Sequence, residues 1–229
     1  MPDDNLFVHE IAAITAKTLS ITTAFLTSGA IASLTLFSVP MLQSQPAERS
    51  LPQTRWLFSR GSHVFPQASA LSALGFTYLA YAALPPAKRV WTQALKLLYF
   101  NNGRIVNGYL LAALLCVGIA PYTSLRMLET NYQIIGMNEA AGGARSAKSA
   151  ETVDLKAGQA RTAQEAVAGD GQAEEWVDTS GPQEVTLKST TPEEDEKVRK
   201  LLADFGRKNL VRAGLVGLGG VVGTLTAVM

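Results

Sequence analysis

Hydrophobic and polar positions separate along this chain into long uncharged stretches and one polar region. No Asp, Glu, Lys or Arg occurs in the ranges 18–47, 61–87, 105–125 or 213–229. A helix of about 20 apolar residues crosses the hydrocarbon core of a bilayer, and the first three stretches reach that length. The fourth reaches it when it begins at Asn209, because the side chain of Arg212 can extend to the membrane interface. The pattern predicts four transmembrane helices, over 18–40, 66–84, 104–121 and 209–228.

These stretches lack the polar face that a helix at the surface of a soluble protein carries. They are rich in Ala, Ser, Thr and Gly, as in the range 71–84, which is apolar around the whole helix. A soluble bundle of buried helices is the alternative, and it is the weaker one because of this missing face. Small residues allow close helix contact in a membrane, and Ser and Thr bond back to their own helix. We therefore expect an all-α, four-transmembrane-helix bundle that forms one integral membrane domain over residues 1–229.

Residues 138–190 have a different composition. The range 141–200 holds 8 basic and 12 acidic residues, so 20 of the 39 charges of the chain lie within 60 residues. Large apolar residues are few, with Trp176 the main exception. This composition predicts a flexible, disordered polar insert before the last helix, and a variable linker is favoured over a partner-binding loop.

Order is predicted to resume directly after the insert. Thr191 and Glu194 have the spacing of a capping box, and Pro192 suits the first position of a helix. No proline follows, so we expect one helix to run from here through the last span.

Charge and composition exclude several classes of partner and site. The net charge of +1 gives no field that would gather nucleic acid. The single cysteine, Cys116, excludes an intramolecular disulfide framework and is expected to be an inert packing residue in the third span. Two histidines, His9 and His63, weigh against a multi-histidine metal site.

Two further patterns describe how the helices meet the membrane and one another. Aromatic residues around Lys96 predict an amphipathic interfacial helix ahead of the third span, in contact with membrane lipid. Gly219 and Gly223 form a GxxxG pair, which predicts a small-residue seam for helix packing and allows a homo-oligomer. The aromatic residues are Trp91, Tyr99 and Phe100.

The candidate chemistry lies at the ends of the predicted spans. Trp56, Arg60 and His63 fall at i, i+4 and i+7, which places an aromatic ring, a cation and a titratable imidazole on one helix face. A membrane-interface belt explains the same residues, and spacing alone favours it. Asn131 and Arg212 suit either hydrogen bonds between helices or the polar edge of a substrate, and the sequence leaves both open.

In their order, these motifs resemble the anthrone oxygenase family of small membrane proteins. The resemblance covers the chain except 138–190. Two positions depart from the family pattern: Ser62 separates Gly61 from His63, and Phe205 stands where a Trp is usual. The matching positions are Pro40, Trp56, Arg60, Gly61, His63, Pro66, Pro121, Thr123, Met127, Asn131, Asn209, Arg212, Gly219, Gly220 and Gly223.

This resemblance implies oxidation of a hydrophobic polyketide anthrone to an anthraquinone in the endoplasmic reticulum or another endomembrane. Molecular oxygen would be the co-substrate, with no bound metal or flavin, because a deprotonated anthrone is itself electron-rich. The implied roles are His63 as base, Arg60 or Arg212 with Asn131 as support for the enolate oxygen, and Trp56 as a stacking wall. The alternative is a non-catalytic four-span scaffold or assembly protein that shares the fold. The enzyme requires an apolar pocket near Trp56 and His63, and the scaffold does not.

Overall fold

The structure is a computed structural model that describes residues 4–85, 89, 101–152, 162–168 and 177–229. Within these ranges it contains helices and no strand, so the all-α prediction is confirmed. The interfacial helix predicted around Lys96 lies outside the described residues. The α-helices are α1 (Asp4–Ser33), α2 (Val39–Gln43), α3 (Ala47–Ala82), α4 (Arg104–Val117), α5 (Ile119–Tyr122), α6 (Leu128–Ala140), α7 (Ala147–Thr152), α8 (Ala163–Ala168) and α9 (Pro192–Ala227), with π-helical turns at Leu34–Ser38 and Thr123–Met127.

Three helical stretches of the described chain are long and apolar enough to cross a membrane. They are Glu10–Gln43, Arg104–Ala140 and Pro192–Ala227, and they contain three of the four predicted spans. The predicted span 66–84 coincides with the second half of α3, which is not among these candidates. Uncharged polar residues lower the mean hydropathy of this range, as Gln67, Ser69 and Ser72 do, which is the physical reason for the difference. The described part of the chain is thus all-helical and has three candidate membrane spans, where the sequence predicted four.

The helices group into two units. Unit 1 comprises Met1–Ala32, Phe65–Tyr122 and Val211–Met229. Its core is apolar and includes Phe76 stacked on Tyr109, with ring centroids 6.4 Å apart. Polar side chains in unit 1 bond to backbone: the Ser69 hydroxyl donates to the Cys116 carbonyl at 2.7 Å, and Ser28 donates to the Ala213 carbonyl at 2.8 Å.

The predicted glycine seam lies inside unit 1. A Cβ atom on Gly219 would lie 2.7 Å from the sulfur of Cys116, which is itself fully buried. A Cβ atom on Gly223 would lie 2.3 Å from the ring of Phe76. The missing side chains therefore let α9 approach α3 and α4 closely. Formation of a homo-oligomer stays a prediction.

Unit 2 comprises Ser33–Val64 and Thr123–Leu210, and its best-defined local feature is the start of α9. The Thr191 amide donates to Glu194 Oε2 at 2.8 Å, and the Glu194 amide donates to Thr191 Oγ1 at 3.3 Å. The predicted capping box is thus confirmed, as is the unbroken helix to Ala227. Asp195 of the same turn accepts from the Ala47 amide at 2.7 Å, so α9 also caps the start of α3.

A polar cluster joins α6 to α9 in unit 2. Lys208 Nζ donates to Thr130 Oγ1, and that hydroxyl donates to Asp204 Oδ2, both at 2.7 Å. Lys208 and Asp204 also form an ion pair at 2.5 Å. Nearby, the rings of Phe58 and Phe205 pack with centroids 4.9 Å apart, so α3 is also held against α9.

Candidate functional site

Helix α3 carries three of the predicted site residues, because it is helical through the whole range 54–66. The guanidinium carbon of Arg60 lies 5.5 Å from the ring centroid of Trp56. At this distance the cation is attracted to the electron-rich face of the indole. His63 follows one turn later and is half-buried.

The insert covers the face formed by Trp56 and Arg60. Trp56 Nε1 donates to the Ser180 carbonyl at 3.0 Å. The Arg60 guanidinium donates to the Asp178 carbonyl and, at 3.4 Å, to the Ser180 carbonyl. The polar groups of both side chains are therefore bonded to the backbone of residues 178–180.

Asp178 anchors this part of the insert with its carboxylate. It is buried and accepts hydrogen bonds from the hydroxyl of Ser146, from the Ser180 hydroxyl at 2.6 Å and from the Ser180 amide at 3.0 Å. Burial alone raises the pKa of Asp178, but these hydrogen bonds and the positive charge of Arg60 outweigh it and hold the pKa below its usual value.

The composition predicted a solvated insert, but several polar residues in its described parts are buried. Ser146, Ser149 and Asp178 are buried, and each is hydrogen-bonded within unit 2. Polar residues can be buried in this way when they satisfy one another. The flexibility of 138–190 as a whole stays a prediction.

A cavity of about 160 Å³ lies between α3, α6 and α8 in unit 2. Its walls combine aromatic and aliphatic side chains with a few polar groups. It is smaller than the roughly 300–1,000 Å³ of most small-molecule sites, so it encloses only part of a larger ligand. The lining residues are Arg55, Phe58, Ser59, Ser62, Leu128, Asn131, Tyr132, Ile135 and Val167.

Two polar groups give the cavity its chemistry. Arg55 is only 4% exposed, and its guanidinium donates to the Ala166 carbonyl of α8 at 2.9 Å. Asn131 Oδ1 is buried and accepts no hydrogen bond from any residue that the structure describes. A buried acceptor left without a donor costs about 1–3 kcal/mol, so a ligand or water donor at this point would be favoured.

Of the five predicted site residues, only Asn131 lines the cavity. Trp56 and Arg60 bind the segment 178–180 instead, and His63 lies on α3 next to the lining residue Ser62. Arg212 is nearly buried in α9 and belongs to unit 1, whereas the other four belong to unit 2.

The residues that sequence reasoning missed follow the same periodicity, shifted by one position. Arg55, Ser59 and Ser62 line the cavity at i, i+4 and i+7, one residue before Trp56, Arg60 and His63. One residue is about 100° around a helix. The sequence therefore indicated a site-bearing face on this helix, and the face that lines the cavity is the neighbouring one. The roles of Trp56, Arg60 and His63 stay predictions. Among the described residues, no group of three or more His, Cys, Asp or Glu side chains is placed to hold a metal ion.

Fold and site together define an all-helical membrane protein with a small, partly polar cavity beside α3. A model of the anthrone oxygenase family matches residues 55–222, which is most of the chain. The chain belongs to the anthrone oxygenase family. The matched range includes every residue that lines the cavity and all five predicted site residues. Comparisons with curated proteins and with solved structures gave no match.

Proposed function

We propose that this chain is an oxygenase of the membrane that converts a hydroxylated anthrone, or a similar aromatic, to its quinone with molecular oxygen. The central methylene loses two hydrogens and gains one oxygen atom, and the second oxygen atom leaves as water. The observation that carries the proposal is the cavity beside α3, which combines aromatic walls with the buried cation of Arg55 and the buried acceptor of Asn131.

The cavity residues suit the charge that develops in this reaction. Deprotonation of the methylene places negative charge on the ketone oxygen, and a positive group in a water-poor site stabilises such an oxyanion strongly. Arg55 is a buried cation at the cavity, so we assign it the supporting role that the family resemblance implies for Arg60 or Arg212. Asn131 Oδ1 would accept a hydrogen bond from a phenolic hydroxyl, and Phe58 and Tyr132 would contact the rings.

His63 remains the proposed base, and Trp56 the proposed stacking wall. A base needs to come within about 3 Å of the proton that it removes, directly or through one water. His63 does not line the cavity, so in this proposal it acts through water or after a local movement of α3. The enolate supplies the electrons, and the proposal therefore includes no bound metal or flavin.

The membrane setting belongs to the same proposal. A hydrophobic polycyclic substrate partitions into lipid. An integral membrane protein of the endoplasmic reticulum or another endomembrane would bind it from the bilayer. We include α3 as a fourth span, over 66–84, for the reasons given by its uncharged sequence.

Substitution of Asn131 tests the proposal directly. Asn131→Ala is expected to lower kcat/KM for a hydroxylated anthrone by roughly 10- to 100-fold, because it removes a hydrogen bond inside a buried site. The measurement is quinone absorbance together with oxygen uptake, on protein reconstituted in nanodiscs.

The matched control is Gln133→Ala, which removes an exposed amide from the same helix. It should leave kcat/KM unchanged. Wild-type protein that consumes no oxygen with any hydroxylated anthrone would contradict the function. A His63→Ala variant with full activity would remove the base assignment alone.

A non-catalytic scaffold is the second candidate, and one observation favours it. The polar groups of Trp56 and Arg60 are bonded to residues 178–180, as expected where such residues serve only to hold the fold. The assay above separates the two candidates, since a scaffold gives no oxygen uptake.

A further inference from the structure

We propose that the insert supplies a wall of the substrate cavity, and that Val167 of α8 selects ligands by their size. This inference rests on the proposed function for its ligand class, a hydroxylated tricyclic aromatic. It assigns a binding role to a region whose composition alone predicted a variable linker.

A hydrogen bond and a lining side chain place α8 at the cavity. Ala166 is fully buried, and its carbonyl accepts a hydrogen bond from the buried guanidinium of Arg55. The next residue, Val167, lines the cavity although 49% of its surface is exposed, so it lies at the cavity opening. All the other lining residues come from α3 and α6. Among the residues that the structure describes, Val167 is thus the lining side chain that the insert adds to those of α3 and α6.

The short helix has a defined start that gives it local order. The amide of Thr162 donates to Glu165 Oε2 at 2.8 Å, and the Glu165 amide donates to Thr162 Oγ1 at 3.2 Å. This is the reciprocal bonding of a capping box, made here by a threonine and a glutamate three residues apart. The capping box stabilises the first turn of α8, and the bond from Arg55 to Ala166 joins the helix to α3 one residue before Val167.

A side chain in this position discriminates by volume. The cavity is small, so a ligand that enters it places one ring or ring edge against Val167. Hydrophobic pockets distinguish ligands that differ by one methylene group by factors of about 10 to 200. A smaller residue at position 167 is therefore expected to admit a bulkier ring, and a larger residue to reject it.

The test compares two ligands on three proteins. The ligands are 1,8-dihydroxyanthraquinone and its 3-tert-butyl analogue, and their Kd values are measured with detergent-solubilised wild type, Val167→Ala and Val167→Leu. The quinones are used because binding can be measured whether or not the protein turns over an anthrone. We expect Val167→Ala to shift the ratio of the two Kd values at least about tenfold toward the bulky ligand, and Val167→Leu to shift it the other way.

Val177→Ala is the matched control, because Val177 is an exposed valine of the same insert that does not line the cavity. It should keep the wild-type ratio, and melting temperatures should show that all variants are folded. An unchanged ratio in both Val167 variants overturns the proposal, as does wild-type protein that binds neither quinone. Binding with the expected shifts but without oxygen uptake would support the wall and overturn the oxygenase function.

Discussion

Single residues of α9 differ sharply in what surrounds them, although many are glycine. Gly223 faces the fully buried ring of Phe76, so an added Cβ would lie 2.3 Å from a ring carbon that has no room to move. Gly214 has no atom within 4 Å of the position where a Cβ would be. Identical residues in one helix thus have different structural roles.

Gly223→Ala is expected to destabilise the protein by about 1–3 kcal/mol, the usual cost of forcing extra volume into a packed core. Gly214→Ala should leave stability unchanged or raise it slightly, since alanine favours helix more than glycine does. Unfolding in a series of SDS fractions, followed by circular dichroism, measures both. Equal effects of the two substitutions would show that the seam is not closely packed.

The direction of a side chain on α3 also changes its role. Trp56 and Arg60 face residues 178–180, whereas Arg55 and Ser59, each one position earlier, face the cavity. Periodicity identified α3 as a helix with a polar stripe, but periodicity is the same for a stripe and for its neighbour 100° away. Which stripe faces a cavity depends on the helices that pack against α3. The periodicity of one sequence does not show which helices these are.

At the scale of elements, local chemistry decided which predictions held. The start of α9 was predictable because a capping box and a proline act within one turn. Helix α8 was not predicted, since a six-residue helix has little stability of its own and depends on tertiary bonds such as that from Arg55 to Ala166. The flexibility of the insert was predicted from its composition. Composition does not show which polar residues form hydrogen bonds with one another.

Asp178 gives the attachment of the insert a defined pH dependence. The pKa of Asp178 is lowered in the folded protein. The stability that its ionised carboxylate gives to the segment is therefore complete above the pKa of an unfolded Asp, about 3.9, and is lost as the pH falls through the lower pKa of the folded state. Protection of the Ser180 amide from hydrogen exchange, corrected for intrinsic rates, should therefore be constant at neutral pH and fall only in acid.

Asp178→Asn should reduce this protection roughly tenfold at neutral pH, because hydrogen bonds to a charged group contribute about 1.5–3 kcal/mol. The variant should also lose the acid transition. Glu184→Gln is the control, since Glu184 is an exposed acid of the same insert. Similar exchange in wild type and Asp178→Asn would mean that the carboxylate does not hold the segment.

At the scale of the whole molecule, sequence and structure differ in the number of membrane crossings. Charge-free stretches predicted four, and three helical stretches meet the requirements of length and hydropathy. The difference depends on α3, whose uncharged polar residues lower its mean hydropathy without adding charge to the range 66–84.

The sides of the membrane on which the two termini lie show whether α3 crosses it. If α3 crosses the membrane, the number of crossings is even, and both termini lie on the same side. We expect epitope tags at the two ends to be equally sensitive to protease in sealed microsomes. Digestion of both tags after detergent treatment is the control, and a tag protected at one end only would show that α3 does not cross.

The π-helical turn at Thr123–Met127 has a consequence for the direction in which Asn131 points. A π turn holds one residue more than an α turn, so the length of this turn sets the rotation of the helix that follows it. Removal of one residue would rotate every side chain of α6 by about 100° relative to the chain before it. Asn131 would then point to another neighbour with its identity unchanged. A deletion of one residue in this turn would therefore remove the buried acceptor from the cavity without changing the identity of any lining residue.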